Sequence, residues 1–153
     1  PERRQNFTAG RIAARRALSQ ISPDLGAIPV LRGESNQPVF PPNVRGSISH
    51  CDNLACAVVC AHPRLIGLGV DVEPRSRVIN SKVVERITSP AEREFYQSLA
   101  SEERDLWVRV FCAKEALFKA CFPLILRDFT FRDVDVLFSS PSEAKLHLSE
   151  RLE

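Results

Sequence analysis

The chain has no methionine, no CxxC pair, no lysine in its first 64 residues and no long apolar run. Each absence excludes something. A chain that opens at Pro1 without a methionine is expected to be a processed product or a piece lacking part of its natural N-terminus. No stretch approaches the ~20 apolar residues needed to cross a bilayer, and no signal-peptide pattern opens the chain. The expectation is a cytoplasmic protein with no membrane contact. The five cysteines (Cys51, Cys56, Cys60, Cys112 and Cys121) are odd in number, and none has a partner histidine at zinc-finger spacing. Most lie in apolar runs, where Cys behaves as a small hydrophobe, so reduced thiols are expected. Repeats, low-complexity tracts and a convincing linker are also missing.

What is present is ordinary in bulk. The 153 residues are 44% hydrophobic and 26% charged, as expected for one globular domain with a single core. The net charge of +2 conceals an asymmetry. Residues 1–64 carry eight Arg and four acids, a charge of +4, and residues 65–153 carry −2. Arg matches phosphate oxygens bidentately, whereas Lys acts as a point charge, so the all-Arg first part hints at a phosphorylated ligand.

Periodicity predicts a helix from Thr8, as its cap, to about Gln20, with Arg11 and Arg15 on one face. Pro23 and Gly26 close it, and residues 28–46 read as loop with a short strand at Ile28–Leu31. Strands are predicted at Gly46–Ser49, Ala55–Ala61 and Leu65–Glu73. "SPAE" (89–92) reads as a capping box opening a helix to about Leu99. A longer helix spans about 102–121, ended by Pro123, and strands follow at Asp133–Phe138 and Lys145–Leu148. The pattern is α+β with a largely antiparallel sheet.

Three stretches carry chemistry. In "GVDVEP" (69–74), alternation puts Asp71 and Glu73 on one face of an otherwise apolar segment. The plainer alternative is a pair of solvated edge carboxylates, which is how Asp133 and Asp135 in "RDVDVLF" are read. Through "RVFCAKEALFKA" (109–120) and the turn before it, Leu106, Val110, Ala113, Leu117 and Ala120 form an apolar stripe. Glu115 and Lys119 lie one turn apart on the far face, with Lys114 between them. A surface ion pair worth ~0.3–0.5 kcal/mol would explain Glu115 and Lys119 equally well. Two strand carboxylates and a third from a helix suit a hard octahedral cation, Mg²⁺ or alternatively Mn²⁺, that also binds phosphate oxygens. In "GSISH" (46–50), Ser47, Ser49 and His50 are phosphate-donor types. A Ser–His–Asp hydrolase is disfavoured because no G-x-S-x-G occurs and Ser49 adjoins the histidine.

Taken in order and spacing, "GSISHC", "GVDVEP" and "FCAKEALFKA" resemble the signature of the 4′-phosphopantetheinyl transferases. The nearer match is the Sfp-type branch and its enterobactin-synthase component D-like members. "RRQNFTAGRIAARRAL", "VLRGESNQPVFP" and "SPAERE" support the likeness, which runs from about Arg3 to Phe131. It implies two pseudo-symmetric lobes, here about 1–73 and 74–153, forming one monomeric transferase domain. It also implies transfer of the phosphopantetheine arm of coenzyme A to a serine of an apo carrier protein, releasing adenosine 3′,5′-bisphosphate. By position, the resemblance makes Asp71, Glu73 and Glu115 metal ligands, Glu115 also the general base, and Lys119 the neutraliser of the attacked phosphate, with Lys114 close by. Arg3, Arg11, Arg32 and His50 match contacts to the 3′-phosphate and pyrophosphate, with Ser49 adjacent. The partners implied are carrier domains of fatty-acid, polyketide or nonribosomal peptide synthases, siderophore (enterobactin) biosynthesis among them. Because carriers are usually acidic, residues 75–100, with Arg86 and Arg93, are the expected docking patch. Phe111 stands where Trp is frequent elsewhere in the family.

Two rivals stay open. A different Mg²⁺ enzyme acting on phosphoesters could use the same acids, although a nuclease would be expected to have a wider basic face than +2 allows, and no nucleic-acid partner is expected. A non-catalytic module could hold coenzyme A or a carrier on the same fold.

Overall fold

The computed structural model describes residues 2–98, 105–125, 130–140 and 142–148. The chain is α+β, and its described strands form three separate antiparallel hairpins. It divides into two compact units, 1–74 with 115–126, and 75–114 with 127–153. The C-terminal half of the long helix α5 (Leu106–Ile125) belongs with the first unit, whereas the sequence reading placed it all in the second lobe.

In the first unit, helix α1 (Glu2–Ile21) starts well before Thr8. The Thr8 hydroxyl donates to Arg4 O at 3.0 Å, the back-bond of a mid-helix threonine and not a cap. Ser22 caps the short α2 (Pro23–Ala27), accepting from Asp24 N. Strands β1 (Leu31–Arg32) and β2 (Pro38–Val39) form a minimal hairpin, and β1 begins only at the last residue of the expected strand at 28–31. Strands β3 (Arg45–Cys51) and β4 (Leu54–Cys60) pair along their whole length. Their turn puts Asp52 at φ 42°, and Asn36 and Asn43 are also left-handed, so Asx residues do what glycine often does.

The two faces of β3 have different covers. Ala14 and Leu18, one turn apart on α1, pack with Val30 and Val44 into a core that takes in Ile48, Ala57 and Val59. The opposite face carries Ser47 and Ser49, both buried. The segment predicted as a strand at 65–73 crosses this second face, but it forms no ladder. Its amides bond to side chains instead: Val70 N to Ser47 Oγ at 3.1 Å and Val72 N to Ser49 Oγ at 3.3 Å. Arg45 Nε meanwhile holds Ile66 O at 3.2 Å. The alternation foreseen in the sequence is present, but the partners are hydroxyls spaced two residues apart along β3.

On its other side the segment touches the backbone of α5. A Cβ at Gly67 would lie 2.5 Å from Ala120 O, and one at Gly69 would lie 1.8 Å from Ala116 O. Two extended residues advance ~6.6 Å and four helical residues ~6 Å, so successive glycines meet successive turns. Neither glycine has a positive φ; what each supplies is the missing side chain. The next residues on that face are Asp71 and Glu73.

In the second unit, Asn80 caps α3 (Ser81–Ile87) through Val83 N. Helix α4 (Pro90–Ser98) starts as foreseen, with Ser89 Oγ accepting from Glu92 N at 3.0 Å. The capping box is only half formed, because the Glu92 carboxylate turns inward to Lys114 Nζ (2.6 Å) and Val136 N (2.9 Å). Tyr96, Leu106 and Val110 make the core with Phe95, Trp107 and Phe138, and Tyr96 stands edge-on to Phe95 and Trp107. Pro123 lies inside the last turn of α5, which runs on to Ile125. Strands β5 (Val134–Ser140) and β6 (Glu143–Leu148) close the unit. Asp133 is not solvent-facing as expected: its buried carboxylate accepts from Thr130 N and Oγ1, capping a turn of 3₁₀ helix. Arg93 is tied to Thr88, which leaves Arg86 as the exposed member of the expected docking pair.

Candidate functional site

Asp71 is the centre of the site. Its Oδ1 accepts from Lys119 Nζ at 2.6 Å and from Ser49 Oγ at 2.7 Å. The same Ser49 oxygen accepts from Val72 N and from Lys119 Nζ (3.2 Å), and Lys119 also donates to Val70 O at 3.2 Å. A hydroxyl offers one proton and two lone pairs, and here all are engaged. Ser49, expected beside the phosphates, is thus an internal clamp on the acid segment. The Asp71 side chain is 7% exposed and that of Lys119 is 29% exposed.

Glu73 and Glu115 are both half-buried. Among the described residues no group of three His, Cys, Asp or Glu side chains is gathered as a metal site. Asp71 does pass one test of fitness for a hard cation. Its second oxygen, Oδ2, is buried and has no hydrogen-bond partner, and an unpaired carboxylate oxygen is costly to bury. The oxygens around it are carboxylate, hydroxyl and carbonyl, the donor set Mg²⁺ takes. Close by, burial and then the charges of Asp52, Glu73 and Asp71 push the Cys51 thiol up, which keeps it protonated.

Lys119 also lines a cavity of about 800 Å³ in the first unit. Among its described lining residues the other cations are Arg4, Arg11 and Arg32, with the exposed His50 at the same surface and no acid. Arg11 is held by Val30 O (2.8 Å) and Leu31 O (3.2 Å) and lies 4.3 Å over the Phe7 ring. Burial, and after it the like charge of Arg32, hold its guanidinium below the usual range. Two guanidiniums kept within repulsive reach of each other make a site that an anion would relieve. Arg32 itself donates to Asn36 Oδ1.

The residues named from sequence therefore divide. Asp71, Ser49 and Lys119 form one cluster, and Arg11, Arg32, His50 and Lys119 share one cavity. The Arg3 side chain lies outside the described residues, and its neighbour Arg4 lines the cavity. Lys114 belongs elsewhere. Its ammonium is fully buried in the second unit against Glu92 and the carbonyls of Ile87, Phe131 and Val134, each within 2.8 Å. Four acceptors for three protons leave nothing for a phosphate, so Lys114 is a structural staple and not a coenzyme A contact. Burial raises the Glu92 pKa and lowers that of Lys114, each toward its neutral form.

Sequence reasoning missed the apolar walls: Phe7, Ile48, and the Phe118–Phe122 pair with centroids 5.6 Å apart. Phe7 sits four residues before Arg11 in a helix, a spacing that could have been read as a stacked pair. The contributions of Asn36 and Gln37 had no local signal.

Comparison with known proteins agrees with this architecture. Residues 1–60 match the 4′-phosphopantetheinyl transferase N-terminal domain, and residues 67–152 match the 4′-phosphopantetheinyl transferase superfamily. The chain is 35% identical over 143 residues to 4′-phosphopantetheinyl transferase PptT of Mycobacterium tuberculosis, covering 92% of this chain and 61% of that protein. It is 35% identical to 4′-phosphopantetheinyl transferase Npt of Nocardia iowensis, covering 90% and 60% respectively. Against enterobactin synthase component D of Escherichia coli it is 33% identical, covering 95% and 67%. The chain thus spans about three fifths to two thirds of the length of these relatives. With both matches in order and most of its length accounted for, the chain belongs to the 4′-phosphopantetheinyl transferase superfamily.

Proposed function

We propose that this chain transfers the 4′-phosphopantetheine arm of coenzyme A to a serine of an apo carrier protein. The observation that carries the reading is the cationic cavity lined by Lys119, whose ammonium pairs with Asp71. Arg4, Arg11 and Arg32 supply charge for phosphates, and Phe7, Phe118 and Phe122 supply flat apolar walls for a base or the pantetheine chain. Asp71, with Glu73 and Glu115, would hold Mg²⁺, which when bound supplies charge neutralisation at the pyrophosphate. Glu115 takes the proton of the carrier serine. The serine oxygen bonds to phosphorus, and the bond to the departing adenosine 3′,5′-bisphosphate breaks and leaves its electron pair on that product. Lys119 offsets charge on the attacked phosphate. Arg75, Lys82 and Arg86 are exposed on residues 75–86 and offer an acidic carrier a basic surface.

The test is to incubate the protein with coenzyme A, Mg²⁺ and an apo carrier protein and to weigh the carrier. A gain of one phosphopantetheinyl group, lost in Glu115→Gln, supports the assignment. An unmodified carrier beside retained coenzyme A binding would make the chain a binding module. Release of phosphate or nucleotide without a carrier would make it a different phosphoester-cleaving enzyme.

A further inference from the structure

The three protons of the Lys119 ammonium meet three oxygens: Asp71 Oδ1 at 2.6 Å, Ser49 Oγ at 3.2 Å and Val70 O at 3.2 Å. No proton is left for a phosphate. A positive charge ringed by carboxylate, hydroxyl and carbonyl oxygens has the surroundings of a bound cation. Next to it, Asp71 Oδ2 is buried and unpartnered, so the carboxylate is only half used. Asp71 is almost wholly enclosed, while Lys119 keeps an exposed flank toward the cavity that also holds Arg11 and Arg32.

We propose that Lys119 is the resident counter-ion of Asp71, and that it gives up this carboxylate to a divalent cation and swings its ammonium into the cavity. The inference rests on the reading of Asp71 as a metal ligand made above. A divalent ion at Oδ2 would lie within a few ångströms of the Lys119 charge, and like charges that close repel strongly in a partly buried site. One carboxylate cannot serve both at full strength. Lys119 can leave because it already lines the cavity and is partly exposed there, so water, or phosphate oxygens when they are bound, can replace the three acceptors it gives up. Lys119 then meets a phosphate only after the cation has arrived. The lysine thus couples the filling of the acid site to the readiness of the anion site.

The experiment uses Mn²⁺ alone, with neither coenzyme A nor a carrier, and counts the free ion by electron paramagnetic resonance. Lys119→Met should bind Mn²⁺ about tenfold or more tightly than the unaltered chain, because a competing charge is gone. Asp71→Asn should abolish that binding. Equal or weaker affinity in Lys119→Met, or no binding by either chain, overturns the inference. A second readout needs no variant that might misfold: acetylation of Lys119 in the unaltered chain, followed by mass spectrometry. Mn²⁺ should speed modification of Lys119 severalfold while leaving Lys82 and Lys145 unchanged, and an unchanged Lys119 rate overturns the proposal. If the carrier is modified but no exchange is seen, only this inference falls. If exchange is seen without carrier modification, only the transfer reading falls.

Discussion

Gly69→Ala is the sharpest test of how the acid segment is held. The added Cβ would lie 1.8 Å from Ala116 O, 2.8 Å from Ala116 C and 2.9 Å from Ala120 N. Ordinary contacts between such atoms are about 3.5 Å, so backbone must part from backbone by about 1.5 Å or more. No rotamer change can relieve this, because all three of these neighbours are main chain. Overpacking of this kind costs about 1–3 kcal/mol and occasionally more. Gly→Ala otherwise returns about 0.4–1 kcal/mol through the unfolded chain, and no left-handed φ complicates the position. Taking the upper end of that cost for so short an approach, the net expectation is a loss of about 2–2.6 kcal/mol, read as a lower urea midpoint at constant slope. Two other glycines calibrate the argument. Gly67→Ala meets Ala120 O at 2.5 Å and should cost less, about 1–2 kcal/mol. Gly10→Ala meets a single side-chain atom, the β-branch methyl Cγ2 of Ile48 at 2.8 Å, and the better helix propensity of Ala within α1 offsets that strain, so it should be nearly neutral, within about 0.5 kcal/mol. A Gly69→Ala chain as stable as the parent, or a Gly10→Ala chain less stable than it, would refute the close-approach reasoning.

Lys114→Met should destabilise by about 3–5 kcal/mol in urea, since it strands Glu92 and three carbonyls in a dry interior. Adding Glu92→Leu should recover only part of that, and a loss below about 1 kcal/mol for the single variant would deny the staple. Tyr96 is the chain's single tyrosine, and burial is the main cause that raises its pKa. Its folded-state proton is therefore held more tightly than the unfolded one, so its contribution to stability is complete below about pH 10 and is lost as pH climbs beyond that. Absorbance at 295 nm should show a midpoint above about 10 that drops to about 10 in urea. Arg32→Ala should weaken coenzyme A binding by about 1.5–3 kcal/mol in calorimetry, with the difference shrinking as salt is raised. Arg16→Ala, exposed and outside the cavity, should leave affinity unchanged.

Local patterns carried much of this protein. The hairpin of β3 and β4, the helix starting at Pro90 and the stripe on α5 follow from alternation, capping and 3.6-residue periodicity, which act over neighbouring residues. Asp71 and Lys119 were also legible as chemically unusual, because charges set in apolar stretches need partners. Which partners they take was decided by tertiary structure. Residues 65–73 have the composition of a strand, yet Ser47 and Ser49 offer their amides hydroxyls in place of a ladder, a match between segments 23 residues apart. Lys114 and Lys119 sit five residues apart on one helix with the same side chain. One is sealed among four acceptors and the other opens onto an arginine-lined cavity, and only the elements folded around each position make that difference.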